Sequence, residues 1–417
     1  MKTLGKFSIG LGDRFGHQGA AQLEAIIEAG KKGFEITPVW NKSNREHIII
    51  GTQPGDVRAE ADQVTGKSGF TKPYFVDADH INLDTVDRFI ESSDFFTIDV
   101  ASYIGKRAGD DEIQVFLKNA GKYSKKLEIP GIRKSPEVSR QRLNEIAEKY
   151  LFAAIKAREI YRKIEKGKGA GNFITEVSMD EVPYPQTPVE LFFILKMLAE
   201  ENIPVQTIAP KFSGRFNKGV DYVGDPQKFA EEFESDLMVI EFAIKEFGLP
   251  ENLKMSIHSG SDKFSIYPEI GSIVRKHNKG FHLKTAGTTW LEEVIGLAAS
   301  GGKALDFVKD IYSSSLEKTE ELCAPYADVI DINISMLPSP DEVSGWNSEK
   351  FAATLRHVPG NRDFNPNMRQ LIHVAYKLAA VKMDEYFRLL KMNEKTVSQS
   401  VYENIYNRHI CRLFNIR

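Results

Sequence analysis

Carboxylates and imidazoles recur at the ends of short apolar runs in this chain, and the densest group is Tyr74-Phe-Val-Asp-Ala-Asp-His-Ile-Asn-Leu83. Alternate residues of a strand share a face, so Asp77 and Asp79 point one way and His80 the other until the chain turns. Two carboxylates and an imidazole are costly to bury unless they bind a metal or do acid–base work. The plain alternative is a turn in which Asp79 accepts backbone hydrogen bonds and starts a helix near Asp84. Taken alone, the stretch balances the two readings.

The other run ends tip that balance. They carry Asp13, Arg14 and His17; Glu35 and Thr37; Asp99; Glu176, with Asp180 and Glu181 beyond it; His258; and His282, Lys284 and Thr285. Among nine histidines, His80 and His258 form the best ligand pair, and His with carboxylate suits a divalent ion that keeps open positions. Asp221, Glu176 and His282 each qualify as the third ligand. Asp221 is favoured, because the long loop from Pro210 can bring it over the site and Glu176 is better used as an acid or base. Zn, Mn, Co and Ni all accept such ligands. For His258 alone, a satisfied histidine at a turn is an equal alternative, and His47, His277, His357, His373 and His409 read as structural.

The small-residue turns Ser259 to Lys263 and Thr285 to Thr288 expose backbone N–H groups that can hold an anion. Lys263 and Lys284 add charge there, and Lys211, Arg215 and Lys218 supply more. Ser259, Asp262, Lys263, Lys284, Lys211 and Arg215 are therefore the expected substrate-binding residues, for a polyhydroxylated and carboxylated small molecule. Neither turn matches a dinucleotide or P-loop fingerprint.

Eight apolar runs position these groups: Phe7 to Leu11, Phe34 to Thr37, Tyr74 to Asp77, Phe95 to Val100, Asn172 to Val177, Ile203 to Ala209, Leu253 to His258 and Phe281 to Thr285. Helical patterns follow most of them, as at Ala20 to Ala29, Pro188 to Glu201, Pro226 to Phe247 and Thr288 to Ala299. Eight strand-then-helix units predict a closed (β/α)8, TIM-like barrel, with an open doubly wound sheet as the alternative. Lys106 to Lys134 reads as an insertion after the fourth strand, able to cover a site, and a long helix is expected from Pro136 to Glu165. Residues 1–312 are expected to form the barrel. Residues 313–417, with helices near Asn367 to Leu390 and Ser398 to Leu413, read as a helical extension packed on it in a single domain.

With 41% hydrophobic residues, 417 positions suffice for a large core. A net charge of −3 argues against nucleic acid and anionic membranes as partners. Cys323 and Cys411 form no spacing motif, and no signal-like or membrane-spanning run is found, so a cytoplasmic protein is expected. Self-association is left open.

Val76-Asp-Ala-Asp-His-Ile, Glu176-Val-Ser-Met-Asp-Glu, Ala209-Pro-Lys-Phe-Ser-Gly-Arg-Phe-Asn-Lys-Gly-Val-Asp-Tyr and His258-Ser-Gly-Ser-Asp-Lys-Phe together resemble the tagaturonate/fructuronate epimerase family. Relatives of that family interconvert tagatose and fructose. The resemblance implies a divalent-metal-dependent sugar epimerase acting on a ketose or keto-uronate. It supports His80, Asp221 and His258 as metal ligands and Asp79 with Glu176 as the acid–base pair, Asp180 or Glu181 being able to replace Glu176. Inversion at C4 of a 2-ketose without a nicotinamide points to retro-aldol cleavage between C3 and C4, rotation and re-addition. A metal-dependent aldolase or an aldose–ketose isomerase could use the same scaffold, and a sugar-binding protein is the non-enzymatic alternative.

Overall fold

The structure, a computed structural model, describes residues 1–124, 127–132, 138–285, 288–358 and 360–416. Eight parallel strands close a barrel in chain order: β1 (Phe7–Gly12), β2 (Ile36–Ser43), β3 (Phe75–Ile81), β4 (Phe95–Asp99), β5 (Ile174–Ser178), β6 (Thr207–Ala209), β7 (Lys254–His258) and β8 (Phe281–Lys284). Pairing of β8 with β1 completes the ring, as the βα period predicts. The helices around it are α1 (Gly19–Lys31), α2 (Asn44–Ile50), α3 (Pro54–Ser68), α4 (Asp110–Ala120), α5 (Arg140–Lys168), α6 (Pro188–Glu200), α7 (Pro226–Phe247), α8 (Tyr267–Lys276) and α9 (Thr288–Ser300). Their starts are written in the sequence. Thr187 and Glu190 form a capping box around Pro188 at α6, and Asp225 caps α7 just before Pro226.

Strand alternation sorts the barrel into layers. Val39, Phe75, Phe95 and Ile174, with Leu4, fill the lower interior as a small apolar plug. The outward-facing residues of the same strands, Trp40, Val76, Phe96 and Val177, face the helices and join the main core. Two residues further along each strand, the interior positions become Asn41, Asp77, Thr97 and Glu176, all buried. The β2–β5 side of the barrel is thus apolar at its base, with His282 and Ser8 facing it from β8 and β1, and polar above, so charge must be compensated on the way to the mouth.

The second strand begins later than the run Phe34 to Thr37 suggests, and this corrects the place of Glu35. It lies before β2, exposed and paired with Lys72 at 2.6 Å, at the end away from the mouth. The insertion lies on the barrel's outer flank. Phe116 of α4 meets Phe193 of α6, and Tyr123 donates to Glu246 of α7 at 2.6 Å. The expected insertion end at Lys134 and helix start at Pro136 lie outside the described residues; α5 is capped by Ser139.

After α10 (Gly302–Glu317), the extension differs from its expected helices in detail. The segment near Asn367 to Leu390 breaks into Pro366–Val374, Tyr376–Val381 and Met383–Met392. The last segment runs from Glu394–Glu403 through a π-helical stretch, Asn404–Ile410, to Cys411–Phe414. The apolar residues of the extension pack on Trp290, Leu291 and Val294 of α9, on Phe15 of the first loop and on Ile50 of α2. Val401, Ile405, Ile410 and Leu413 join the barrel's own core. Two buried ion pairs add direction: Asp262 with Arg369 at 2.7 Å, and Glu292 with Arg408 at 2.6 Å. No helix among the described residues is long and apolar enough to cross a membrane.

Glu60 of α3 accepts the Gly19 N–H that opens α1, at 3.0 Å. Burial, aided by nearby Asp13, pushes its carboxyl up from 4.5 to about 8. A raised folded-state value means the folded protein holds this proton more tightly than the unfolded chain. The resulting stability is complete below about pH 4.5 and is lost as pH climbs to about 8. Glu60→Gln keeps the acceptor oxygen without the charge. Its melting temperature should therefore gain on the wild type between pH 5 and 8, and then run parallel above that range; a pH-independent gap would contradict this.

Candidate active site

The site starts from an irregularity in β3. Ala78 pairs with Phe96 and Ile81 with Ile98, so Asp79 and His80 together oppose the single residue Thr97. This is a bulge, and His80 adopts a left-handed φ of 50°, uncommon for a residue with a Cβ. Simple alternation would have sent His80 away from Asp79. The extra residue instead brings both to the mouth, with Asp79 Oδ1 2.8 Å from His80 Nδ1.

Across the barrel, His258 at the end of β7 mirrors this arrangement. Its Nε2 is 2.9 Å from Glu176 Oε1 and its Nδ1 is 3.2 Å from Asp180 Oδ1. The same Asp180 oxygen is 3.7 Å from His80 Nε2, and the two imidazole centres are 5.0 Å apart. His80, Asp180 and His258 offer three ligating atoms within 4.8 Å of one another, a triad able to hold a metal ion. His80 Nε2 and His258 Nδ1 are buried and make no hydrogen bond. Each histidine thus gives one nitrogen to a carboxylate behind it and turns the other toward a common point, the pattern by which carboxylates orient metal-binding imidazoles.

Beneath the histidines lies Lys284. Its ammonium is 2.8 Å from Asp77 Oδ2, 2.9 Å from Asp79 Oδ1 and 3.2 Å from Glu176 Oε1, and it also donates to Thr97 Oγ1. Burial pulls this lysine down, but Asp77, Asp79 and Glu176 outweigh it and hold it well above the usual lysine value. For Glu176 and Asp79, burial favours the neutral acid, yet Lys284 with the adjoining histidine keeps both carboxyls well below the ordinary range. Asp77 is the exception: burial wins and pushes it up to about 6. Burial lowers both imidazoles, and the facing carboxylates more than reverse it, so His80 and His258 are raised.

Several expected site residues lie elsewhere, and the physical reasons are plain. Asp221 does not stand beside the histidines. Its loop folds back through an isolated bridge between Arg215 and Val223, and its Oδ1 accepts from Ser265 N–H and Oγ at 3.1 and 2.9 Å. Lys263 is wholly buried, donating to the carbonyls of Asn217 and Val220 at 3.0 and 2.8 Å, and so pins that loop from below. Asp262 is taken by Arg369, and Ser259 donates to the Lys284 carbonyl at 2.6 Å. Arg215 pairs with Asp331 on the surface at 2.9 Å, and Lys211 lines a separate cavity of about 160 Å³ with Glu231, Glu232 and Asp236. Lys284 has no hydrogen to spare for a substrate carboxylate. His282 sits low in the barrel against Ser8 at 2.9 Å and Phe95; burial pulls it down to about 3. Ala286 and Gly287 of the second small-residue turn lie outside the described residues.

Glu176 also differs from its expected part as an acid open to substrate. It is fully buried, with one oxygen shared by Thr97, His258 and Lys284 and the other taken by Thr207 at 2.7 Å. The residue that sequence reasoning undervalued is Asp180. Its signal was its place two residues past the end of β5, where a βα loop reaches over the mouth.

A barrel of this form, with its polar groups at the strand ends, is matched along nearly its whole length: the UxaE tagaturonate epimerase profile covers residues 2–413. The chain belongs to the tagaturonate epimerase family. It is similar to the tagaturonate/fructuronate epimerase of Thermotoga maritima, with 28% identity over 420 residues covering 97% of this chain and 80% of that protein. Among solved structures, a glycerol complex of the fructuronate–tagaturonate epimerase UxaE from Cohnella laeviribosi superimposes with a TM-score of 0.81. It is 26% identical and covers 99% of this chain and 82% of that one. The native crystal structure of the same protein, 24% identical, supports the fold with a TM-score of 0.79. The protein is therefore an epimerase, an isomerase-class enzyme.

The lysine cage carries a prediction about stability. Lys284→Met leaves Asp77, Asp79 and Glu176 facing one another without a counter-charge, and breaking a buried pair in this way costs about 3–5 kcal/mol. Urea unfolding should show that loss at pH 7 and a smaller one at pH 5, where the carboxyls take up protons. An unchanged midpoint would refute the role given to Lys284.

Proposed function

We propose that this epimerase interconverts D-tagaturonate and D-fructuronate by inversion at C4 (ketose numbering), with a divalent ion held by His80, Asp180 and His258. The observation that carries the reading is an imbalance of charge. The histidines and Lys284 draw Asp79, Glu176 and Asp180 toward the ionised form, Asp77 lies close by, and among the described residues Lys284 is the only lysine or arginine paired with this cluster. The two imidazoles answer by drawing protons, and two unpartnered nitrogens converge on Asp180. Two positive charges at that point would restore neutrality and use both nitrogens. Zn, Mn, Co and Ni all suit the donor set.

A divalent ion there would supply Lewis-acid stabilisation of the charge that develops on the ketone side as the C3–C4 bond breaks. The remaining steps belong to side chains. In a 2-ketose the hydrogen on C4 is not next to the carbonyl, whereas the C4 hydroxyl is placed for retro-aldol cleavage. Asp79 is suited to take that hydroxyl proton: Lys284 and His80 hold its Oδ1, while its Oδ2 makes no hydrogen bond among the described residues. The C3–C4 electron pair passes to the ketone half, C4 becomes an aldehyde, and rotation presents its other face. Re-addition then needs a proton at the C4 oxygen. We assign that transfer to Asp99, near His80, Asp180 and Glu181, where burial raises its carboxyl above the usual range. Glu176 instead orients His258.

Four variants separate these roles. His80→Ala and Asp180→Ala should each lose the bound ion, measured by metal analysis after gel filtration, while Asp221→Asn should retain it. Glu176→Gln should weaken metal affinity by about 10–100-fold, the usual cost of losing a carboxylate behind a ligand histidine. Retention of the ion by both His80→Ala and Asp180→Ala would sink the ligand assignment.

Asp79→Asn should keep the ion and lose about 10²–10⁴-fold in epimerisation rate. In D₂O the retro-aldol route leaves the original hydrogen on C4, so deuterium at C4 of the product would overturn it. The same product analysis distinguishes the rivals, since an aldolase releases three-carbon fragments and an isomerase yields an aldose.

A further inference from the structure

The cations around the mouth are nearly all committed. Lys284 serves three carboxylates, Lys263 lies under backbone carbonyls, Arg369 holds Asp262 and Arg215 holds Asp331. Arg14 donates to Glu46 at 2.9 Å and to the His373 carbonyl at 2.7 Å. Lys218 differs. Its backbone is fixed, with its N–H on the Val329 carbonyl at 2.7 Å, the Gly219 N–H on Ser261 Oγ at 2.9 Å, and Arg369 on the Gly219 carbonyl at 2.6 Å. Its half-buried side chain runs along the turn after β7. A Cβ on Gly260 would lie 3.2 Å from Lys218 Nζ and 3.4 Å from its Cδ. Gly260 is two residues beyond His258, has a φ of 63°, and directs its own N–H to the Lys284 carbonyl at 3.3 Å. No carboxylate among the described residues pairs with the Lys218 ammonium.

The surroundings divide by sign. Arg14, Lys218, Arg369 and Lys263 gather around His373, and burial together with those charges keeps its ring neutral. Asp99, Asp180 and Glu181 cluster on the side of His80. An elongated substrate with one anionic end would lie with that end toward the Lys218 loop and its ketone toward the histidines.

We propose that Lys218 is the specificity-determining cation of this site, binding the terminal carboxylate of the hexuronate. The assignment rests on the reading of the site as a keto-uronate epimerase site. The ammonium on its fixed loop supplies a charge-assisted hydrogen bond that is equally strong in ground and transition states, because the carboxylate takes no part in the bond changes at C3 and C4. Its loss therefore falls on KM and not on kcat.

The test uses the full-length, metal-loaded enzyme with tagaturonate, and with tagatose as the neutral counterpart. Lys218→Met should raise KM for tagaturonate by about tenfold to a hundredfold, the range for a lost hydrogen bond to a charged group, with kcat nearly unchanged. Lys218→Arg should recover most of the loss, and tagatose turnover should be indifferent to both changes. If the methionine variant does not fold, the wild type still decides: its KM for tagaturonate, but not for tagatose, should climb as salt screens the contact. An unchanged KM for tagaturonate in Lys218→Met, an equal loss on tagatose, or a salt-independent KM would each overturn the assignment. A wild type that turns over tagaturonate with those results defeats this proposal alone; one that turns over no hexuronate defeats the reading of function and this proposal with it.

Discussion

The buried ammonium of Lys284 is the constraint on which the upper half of the barrel depends. Asp77 and Asp79 come from β3 and Glu176 from β5, and neither strand is adjacent to β8 in the ring. Only a closed barrel brings Lys284 across the interior to meet all three. Closure and charge compensation are therefore one event, because an open sheet would leave three carboxylates without their counter-ion. The same ammonium sets the direction of the two histidines. It holds the carboxylate oxygens that bind His80 Nδ1 and His258 Nε2, and so decides which nitrogens face the mouth.

Burying so many ionised groups is expensive, and the apolar shell around them meets that cost. Val39, Phe75, Phe95 and Ile174 seal the barrel below the polar layer. The extension covers the barrel's flank where its Tyr386 meets Phe15 of the first loop and Trp290 of α9, the three rings lying 4.6–5.6 Å apart. Its ion pairs act on the loops as well as on the core. Arg369 grips both Asp262 and the Gly219 carbonyl, so the loop from Lys211 to Asp221 is held by the extension from outside and by Lys263 from within.

Much of this was legible in the sequence because it follows from short-range pattern. The βα period told of eight strands, and strand-end position singled out Asp79, His80, Glu176 and His258, which the structure gathers within one polar cluster. What was not legible depends on a single inserted residue or on a loop's path. The bulge at Asp79 and His80 has no marker in composition, since neither residue is a glycine. Asp221 was favoured on paper as the third ligand and Asp180 considered only as a substitute for Glu176, although each is a carboxylate beyond a strand end. The difference lies in the loop's path: Asp221 turns its Oδ1 to Ser265, away from the histidines, whereas Asp180 Oδ1, which also accepts from Ser178 Oγ, lies 3.2 Å from His258 Nδ1 and 3.7 Å from His80 Nε2. Lys263 and Asp262 looked like substrate contacts because charge near a turn is usually exposed, and here both are wholly buried.

The two layers of carboxylates divide the labour between them. Asp77 and Glu176, in the lower layer, have no exposed surface to speak of and spend their oxygens on Lys284, Thr97, Thr207 and His258. Groups held in this way have no room to exchange protons with a sugar, but they fix the geometry above them. Asp79, Asp99 and Asp180 occupy the upper layer, where each keeps an edge toward the opening. Their environments then separate them: Asp79 and Asp180 are drawn toward the ionised form by Lys284 and the histidines, and Asp99, lacking such a partner at close range, leans toward the protonated form. The retro-aldol scheme proposed above, in which one carboxyl takes a proton and another returns one, calls for neighbouring carboxyls of opposite inclination. At Asp79 the charges of Lys284 and His80 overcome burial, whereas at Asp99 burial prevails over His80 and the Ala101 N–H.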